Sequence, residues 1–281
     1  MKKLVATLSL AVLAFLPLGR ASAQAAQGAM VAPGDAVMGH VHLLVSDIDA
    51  NKKFWVEMGG TPLTLGSGAG AIEGVVFGNV RVLLRKGDNI GPAVGSTINH
   101  FGFYVPNVKA AMAKWKDMGL KTEAGRNDQQ GYVWTPGDLI RVEILEMPGQ
   151  TAPIVFHHVH MFVTANAAGG VPEVQAWYAK MFGATPGKRA AFDTDNVPGA
   201  ELTLTKSDTP TVPSAGRAVD HIGFNVKNLE AYCKKLEASG MKLDTPYTKR
   251  PDVGLAVAFI TDPWGTRIEL NEPLTQTSEL H

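Results

Sequence analysis

Two sets of three polar residues recur along the chain in the same order: a histidine, a second histidine and a glutamate. The sets are His40, His100 and Glu143, and then His158, His221 and Glu269. Each glutamate stands among apolar neighbours, where a carboxylate is costly to bury unless it is paired or binds a metal. Two neutral imidazoles and one carboxylate suit a divalent transition ion such as Fe(II), Mn, Ni, Zn or Co. The pattern therefore predicts metal binding.

The elements that must position these residues can be inferred from periodicity. Each histidine opens a segment in which apolar residues alternate, as in Val41, Leu43 and Val45, and this is typical of a strand. A stretch over 108–115 then has apolar residues at the spacing of one helix face, and Gly119 suits the end of that helix. Further strands follow. The resulting unit, β-α-β-β, recurs about four times, and the fold class is α+β.

The recurrence extends to whole segments of the chain. Segment 99–122 resembles 220–243, segment 39–60 resembles 157–183, and segment 132–145 resembles 258–270, always in the same order. The chain is therefore interpreted as a tandem duplication with one domain at 37–149 and another at 154–273. Pro148, Gly149 and Pro153 mark the predicted linker at 150–153, and 274–281 is a C-terminal tail.

Composition excludes several classes of protein. The 281 residues include 26 Lys and Arg against 26 Asp and Glu, and 45% of the residues are hydrophobic. The high hydrophobic content and low net charge argue against a disordered chain. A chain with zero net charge also lacks the excess of positive charge that is typical of nucleic-acid-binding proteins. The single cysteine, Cys233, has no partner for an internal disulfide, so the apolar core must hold the fold.

The N-terminus has the pattern of a secretory signal peptide. Basic residues at 2–3 precede an apolar run at 4–18, and Ala21-Ser22-Ala23 supplies the small residues of a cleavage site. The run is shorter than the roughly 20 residues that span a bilayer. Residues 1–23 are thus predicted to be removed, 24–36 to form a flexible leader, and the mature protein to be periplasmic or secreted, without a membrane partner.

Taken together, these motifs resemble the vicinal oxygen chelate superfamily, which includes glyoxalases, bleomycin-resistance proteins and extradiol dioxygenases. The matching strings are HVHLLVSDIDANKKFW, INHFGFYVPNVKAAMAKW, HHVHMFV, VDHIGFNVKNLEAYCKKLEASG and ITDPWGTRIEL, and they cover nearly all of 37–273. The resemblance implies four βαβββ modules that pair into two cupped sheets around up to two metal ions. It also implies a small-molecule substrate and is compatible with a homodimer.

The resemblance also implies a set of ligands. His40 and His158 match the first-strand ligand of odd modules, His100 and His221 that of even modules, and Glu143 and Glu269 the last-strand ligand of even modules. For the last strand of the odd modules, Glu201 resembles the acidic strand of glyoxalase I, whereas Arg81 stands at the aligned place in the first half. The second half is thus predicted to be the better site, with His158, Glu201, His221 and Glu269, although pairing between modules of different halves stays open.

Three functions follow as alternatives. In a glyoxalase-like lyase or isomerase, the metal would bind vicinal oxygens, and Glu269 or Glu201 would move a proton. An extradiol dioxygenase would use a three-ligand site, but its signature tyrosine is replaced by Phe259 in one half and by Val133 in the other. A non-catalytic binding protein for an antibiotic-like molecule would usually lack the ligand residues. His42 and His160 lie two residues beyond the ligand candidates on the same strand face, and the sequence leaves open whether they support the ligands or only pack in the core or at the surface.

Overall fold

The structure is a computed structural model, and it describes residues 34–164 and 168–274. The predicted signal peptide at 1–23, most of the leader and all of the tail except Leu274 lie outside the described residues. Within the described residues, none of the four helices is long and apolar enough to cross a lipid bilayer.

The order of elements is strand, helix and three strands, and it occurs four times along the chain. The helices are α1 Ile48–Glu57, α2 Val108–Asp117, α3 Gly170–Phe182 and α4 Leu229–Ala238. The side chain of Asp47 accepts a hydrogen bond from the backbone of Ala50, and Asn107 does the same for Ala110, so these two residues cap the first turns of α1 and α2. This arrangement confirms the α+β class.

The sixteen strands form two eight-stranded sheets. Sheet 1 has the strands β1 Ala36–Val45, β2 Thr61–Leu65, β3 Ile72–Phe77, β4 Val80–Lys86, β13 Val219–Val226, β14 Thr245–Arg250, β15 Leu255–Thr261 and β16 Arg267–Pro273. Sheet 2 has the strands β5 Ile98–Val105, β6 Lys121–Ala124, β7 Gln130–Trp134, β8 Arg141–Glu146, β9 Val155–Val163, β10 Thr185–Arg189, β11 Phe192–Val197 and β12 Ala200–Lys206.

The two sheets do not correspond to the two halves of the chain. In sheet 1, β1 of the first module pairs antiparallel with β13 of the fourth, and in sheet 2, β5 of the second pairs with β9 of the third. Of the pairings that the sequence left open, the structure has the one between modules of different halves, so neither 37–149 nor 154–273 forms a sheet of its own. The segment predicted as a linker, 150–153, connects two modules of the same sheet.

A shared apolar core holds the two sheets together. Trp55 of α1, which packs on sheet 1, stacks on Phe101 of β5 in sheet 2, with ring centroids 5.6 Å apart. Conversely, Phe182 of α3, which packs on sheet 2, stacks on Phe224 of β13 in sheet 1, with ring centroids 4.2 Å apart. All four rings are almost completely buried and belong to one continuous cluster. Since aromatic burial is a large part of core stability, the sheets are coupled energetically.

Candidate metal centres

The face of sheet 1 that lies opposite the shared core carries four buried side chains of the kinds that bind metals. We call this group cluster 1: His40 and His42 of β1, His221 of β13 and Glu269 of β16. One potential ligand atom from each residue lies within 4.8 Å of the other three. Alternation along β1 explains the placement, because Val41 faces the core while the histidines on either side of it face the opposite surface.

The donor atoms of cluster 1 fit a divalent cation. Glu269 Oε2 lies 2.9 Å from His221 Nε2 and 3.4 Å from His40 Nε2. Within residues 34–164 and 168–274, His40 Nε2 and both ring nitrogens of His42 are buried without a hydrogen-bond partner. Buried polar atoms are nearly always satisfied, so unpaired nitrogens around a carboxylate indicate a ligand site. A cation among them would bind His40 Nε2 and one of the two ring nitrogens of His42.

Surrounding residues orient the ligands of cluster 1. His221 Nδ1 lies 2.6 Å from Asp220 Oδ1, which also accepts a hydrogen bond of 2.8 Å from Arg267, and this leaves His221 Nε2 free to face Glu269. Asn271 donates a 2.8 Å hydrogen bond to the other oxygen of Glu269. Such a carboxylate–histidine pair is the usual support of a metal-bound imidazole and raises its basicity.

Electrostatics in cluster 1 favour the forms of Glu269 and His42 that bind a metal. Burial would raise the pKa of Glu269, but the hydrogen bond from His221 and the nearby His40 outweigh burial and hold this pKa well below its usual value. Burial also lowers the pKa of His42 well below that of free histidine. For His221, burial is outweighed by Asp220 and Glu269, which raise its pKa. The carboxylate is therefore ionised, and His42 is neutral.

Sheet 2 carries a second group on its corresponding face. We call it cluster 2: His100 of β5, Glu143 of β8, and His158 and His160 of β9, again with ligand atoms within 4.8 Å. His158 Nε2 lies 3.0 Å from Glu143 Oε2 and has no hydrogen-bond partner within the described ranges. His100 Nε2 lies 3.4 Å from the same oxygen. The unpaired His158 nitrogen beside a buried carboxylate again fits a cation.

The supports of cluster 2 differ from those of cluster 1. His100 Nδ1 lies 2.8 Å from the amide oxygen of Asn99, where cluster 1 has the carboxylate of Asp220. Gln130 donates to Glu143, and the Tyr132 hydroxyl lies 3.4 Å from the same oxygen. Burial lowers the pKa of His160 to about 2, so its imidazole is neutral.

Glycines opposite the first-strand histidines make room for these rings. In the strand ladders His40 lies opposite Gly223, and His158 lies opposite Gly102. A Cβ atom added at either glycine would overlap the facing imidazole. This explains locally why the sequence reads His-Ile-Gly-Phe and His-Phe-Gly-Phe, since the strand residue two positions after each even-module histidine must lack a side chain.

Cluster 1 opens into a cavity of about 210 Å³. His40, His42, Glu269, Arg81 and Asn271 supply its polar wall. The remaining lining is mostly apolar and comes from the loops after β2 and β14 together with neighbouring strands: Leu65, Ile72, Leu83, Val253, Leu255 and Pro273. A concave apolar cavity with a few converging polar groups is the usual form of a small-molecule site.

Comparison with known proteins finds a family model that matches part of the chain. Residues 164–270 match the model described as the glyoxalase/bleomycin resistance protein/dioxygenase superfamily. This matched region contains β13 with Gly223 and the part of β16 that carries Glu269 of cluster 1. No curated protein sequence matches the chain.

Solved structures share the fold of the chain over most of its length. A point mutant of glyoxalase I from Zea mays has 19% identity and a TM-score of 0.68, covering 88% of this chain and 95% of that one. Unmutated glyoxalase I from Zea mays has 17% identity and a TM-score of 0.67, covering 84% and 92%. A putative dioxygenase from Bacillus subtilis has 14% identity and a TM-score of 0.61, covering 85% and 86%. At these identities the likeness extends to the fold.

The ligand set predicted for the second half is not assembled in the structure. His158 lies in cluster 2, whereas His221 and Glu269 lie in cluster 1. The weaker set predicted for the first half is divided in the same way, because His40 joins cluster 1 while His100 and Glu143 join cluster 2. The physical reason is strand pairing: each cluster draws on one odd and one even module, and these come from opposite halves.

Glu201 lies beside cluster 2, in register with His158 on the neighbouring parallel strand. It therefore cannot complete the His221 and Glu269 site as predicted. Arg189 Nε and Thr203 Oγ1 donate to Glu201 Oε1 at 2.9 and 2.7 Å. Its other oxygen lies 4.0 Å from His157 Nε2. Glu201 is thus held by cationic and hydroxyl donors next to the four closely grouped ligands of cluster 2.

Two features of the clusters were not predicted from the sequence. The role of His42 and His160 was left open, and their ring nitrogens lie at ligand distance within the clusters. The residue that faces Glu143 on the adjacent strand is Tyr132 rather than Val133, because the β7–β8 connection is one residue longer than the β15–β16 connection. The alternation His-x-His along both first strands was the signal that could have identified the additional histidines.

Proposed function

We propose that the protein is an exported, metal-dependent enzyme that carries out glyoxalase-like lyase or isomerase chemistry on a small substrate with vicinal oxygens. The observation that supports this most directly is cluster 1, where unpaired imidazole nitrogens and an ionised carboxylate line an open cavity. A divalent ion held by His40, His221, Glu269 and His42 would supply Lewis-acid stabilisation to oxygens that become negatively charged. Export is proposed from the sequence pattern of residues 1–23.

Glu269 is the proposed general base. Its depressed pKa keeps it ionised at neutral pH, and its Oε2 is flanked by His221 and His40 at the end of the cavity. Asn271 fixes Oε1, so one oxygen is oriented while the other faces the ligands. Such a group can accept a proton from carbon next to a polarised oxygen. Glu201 would be the corresponding general base beside cluster 2, where Arg189 donates a hydrogen bond to its carboxylate.

The first test is metal content. Wild-type protein reconstituted with Fe, Mn, Ni, Zn or Co is expected to hold one ion in each cluster. His221→Ala and Glu269→Ala should each remove the ion of cluster 1 and keep that of cluster 2, and His100→Ala and Glu143→Ala should do the reverse. A protein without stoichiometric metal would contradict the enzyme proposal and favour a binding protein.

The second test is proton transfer itself. Metal-loaded protein in D₂O is expected to exchange the C–H proton beside a carbonyl or hydroxyl in a panel of small 2-oxo and 2-hydroxy compounds, monitored by NMR. Glu269→Gln keeps the shape of the side chain but removes the base, so exchange should fall by roughly 10²-fold or more. Glu143→Gln is the matched control at cluster 2. Exchange that survives in Glu269→Gln would exclude Glu269 as the base.

A ring-cleaving dioxygenase is the second candidate. It is favoured by cluster 2, where Tyr132 faces Glu143 from the adjacent strand and its hydroxyl lies 3.4 Å from the carboxylate. Fe(II)-loaded protein would then consume O₂ with a catechol, and Tyr132→Phe would slow this consumption. Rapid oxygen uptake would reverse the order of the two proposals, and its absence across a catechol panel would remove the second.

A further inference from the structure

Arg81 distinguishes the surroundings of cluster 1 from those of cluster 2. It lies on β4 in register with His40 of the parallel strand β1, so both side chains project from the same face of sheet 1. The corresponding place in sheet 2 belongs to Glu201, in register with His158. Sheet 1 therefore has a guanidinium group where sheet 2 has a carboxylate, next to otherwise similar histidines.

The charge of Arg81 lacks a protein counterion in the part of the chain that the structure describes. Other arginines beside the clusters each bind a carboxylate: Arg267 binds Asp220, Arg141 binds Glu123 and Arg189 binds Glu201. Arg81 forms no such pair within residues 34–164 and 168–274, although it is half-buried and lines the cavity. A guanidinium remains charged under all ordinary conditions, and a partly desolvated charge without a partner is unfavourable.

The other charged group in the cavity wall is the carboxylate of Glu269, and it already has partners within the protein. Among the described residues, Glu269 is the only acidic one in the cavity wall, and His221 and Asn271 hold its two oxygens. Apart from His40 and His42, the rest of the lining is apolar or amide. An anionic group entering the cavity would thus meet a cation whose charge no wall residue neutralises.

We propose that Arg81 binds the carboxylate of the substrate, and that cluster 1 acts on small 2-oxo or 2-hydroxy carboxylates. This inference rests on the proposed function. Arg81 and His40 are in register on neighbouring strands and both line the cavity, so one small molecule can contact the guanidinium group and the ligand atoms of cluster 1 together. A carboxylate with an oxygen on the adjacent carbon provides both contacts. The planar, two-pronged geometry of guanidinium suits a carboxylate better than a hydroxyl or an amide.

The test compares two probes of the same shape, lactate and lactamide, by isothermal titration calorimetry on the full-length metal-loaded protein. Wild type is expected to bind lactate at least about tenfold more tightly than lactamide, the usual difference for a charge-assisted hydrogen bond in a partly buried site. Arg81→Met should lose this preference and keep its metal content. Arg81→Lys should retain part of it, because it keeps the charge and loses the two-pronged contact.

Lys86→Met is the matched control. Lys86 lies at the end of the same strand and is exposed outside the cavity, so its loss removes one positive charge and should leave lactate affinity unchanged. Equal binding of lactate by wild type and Arg81→Met, equal binding of both probes by wild type, or binding of neither probe would overturn the inference alone. A wild-type protein that takes up no metal would instead overturn the proposed function on which the inference depends.

Discussion

Gly223 lies directly opposite His40 on the adjacent antiparallel strand, and the imidazole of His40 occupies the space where a side chain at position 223 would begin. The same relationship joins Gly102 and His158 in sheet 2. In both cases the glycine and the histidine come from different modules. The absence of a side chain on one module therefore determines where the ligand of the other module can lie.

Gly223→Ala is expected to displace His40 and to lower the metal content of the protein from about two ions to about one per chain. Overpacking of this kind also lowers stability by roughly 1–3 kcal/mol. Gly102→Ala should act in the same way on cluster 2. Metal analysis of the two variants, each combined with a ligand mutation in the other cluster, distinguishes the sites. Full loading of cluster 1 in Gly223→Ala would show that the ring does not need this space.

Asp220→Asn is expected to weaken metal binding at cluster 1 by roughly 10- to 100-fold, the usual effect of losing a carboxylate behind a ligating histidine. The substitution reproduces the situation at cluster 2, where Asn99 contacts His100. The reciprocal change, Asn99→Asp, should tighten cluster 2. Competition with a chromophoric chelator at alkaline pH, where histidine protonation does not interfere, measures both affinities. Unchanged affinities in both variants would contradict the role assigned to Asp220.

Removal of metal is expected to destabilise the protein. A ligand that binds only the folded state adds about 4 kcal/mol when its free concentration is a thousand times its dissociation constant. EDTA should therefore lower the midpoint of thermal unfolding of wild type. The double variant Glu143→Gln and Glu269→Gln should show no such shift, because both clusters have lost their carboxylate. An EDTA effect that persists in this double variant would place the stabilising metal elsewhere.

Asp195 should make stability depend on pH. Its side chain is fully buried and neither carboxylate oxygen has a hydrogen-bond partner among the described residues, and this burial raises its pKa to about 8. In the unfolded chain the pKa is near 3.9. The folded state therefore retains a proton that the unfolded state releases, and the contribution present below pH about 4 is lost as the pH rises towards 8.

Asp195→Asn is expected to remove this dependence. Between pH 4 and pH 7 the stability of wild type relative to Asp195→Asn should fall by roughly 3 kcal/mol, since one pH unit corresponds to about 1.4 kcal/mol per proton. Chemical denaturation of both proteins at several pH values gives this difference and cancels the titration of the histidine clusters. Parallel stability profiles would mean that Asp195 is ionised in the folded protein.

Fragments should reveal how the modules are paired. The central segment 95–208 contains all strands of sheet 2 and every ligand of cluster 2. It is expected to show β-sheet circular dichroism and to bind about one metal ion, with reduced stability because Trp55 no longer covers Phe101. The segment 34–149 contains half of each sheet and should be unfolded and metal-free. Cooperative folding of 34–149 would restore the interpretation of two independent halves.

Much of the fold was predictable because it depends on local patterns. Alternation around Val41 and Phe101 and the helical spacing over 108–115 led to the observed elements. The choice of partner strand was not predictable, because the first strands of all four modules present similar apolar edges with a histidine near the start. Partner choice depends on packing between distant elements, such as Trp55 on Phe101 and Phe182 on Phe224. The candidate ligands were identified correctly as residue types, but their grouping depended on this choice.

The assembly of sheet 1 from the first and last modules has a consequence for biosynthesis. As the chain emerges from the ribosome, the ligands of cluster 2 are all present once β9 has been made, whereas His40 must wait for Glu269 on β16. Until β13 is made, β1 has no partner on that side, so an open strand edge is exposed to other chains. Premature termination would thus yield a protein with one ligand cluster and an incomplete sheet 1 whose unpaired strand edge can bind other chains. A metal ion in cluster 1 would mark a chain whose synthesis had reached its final strand.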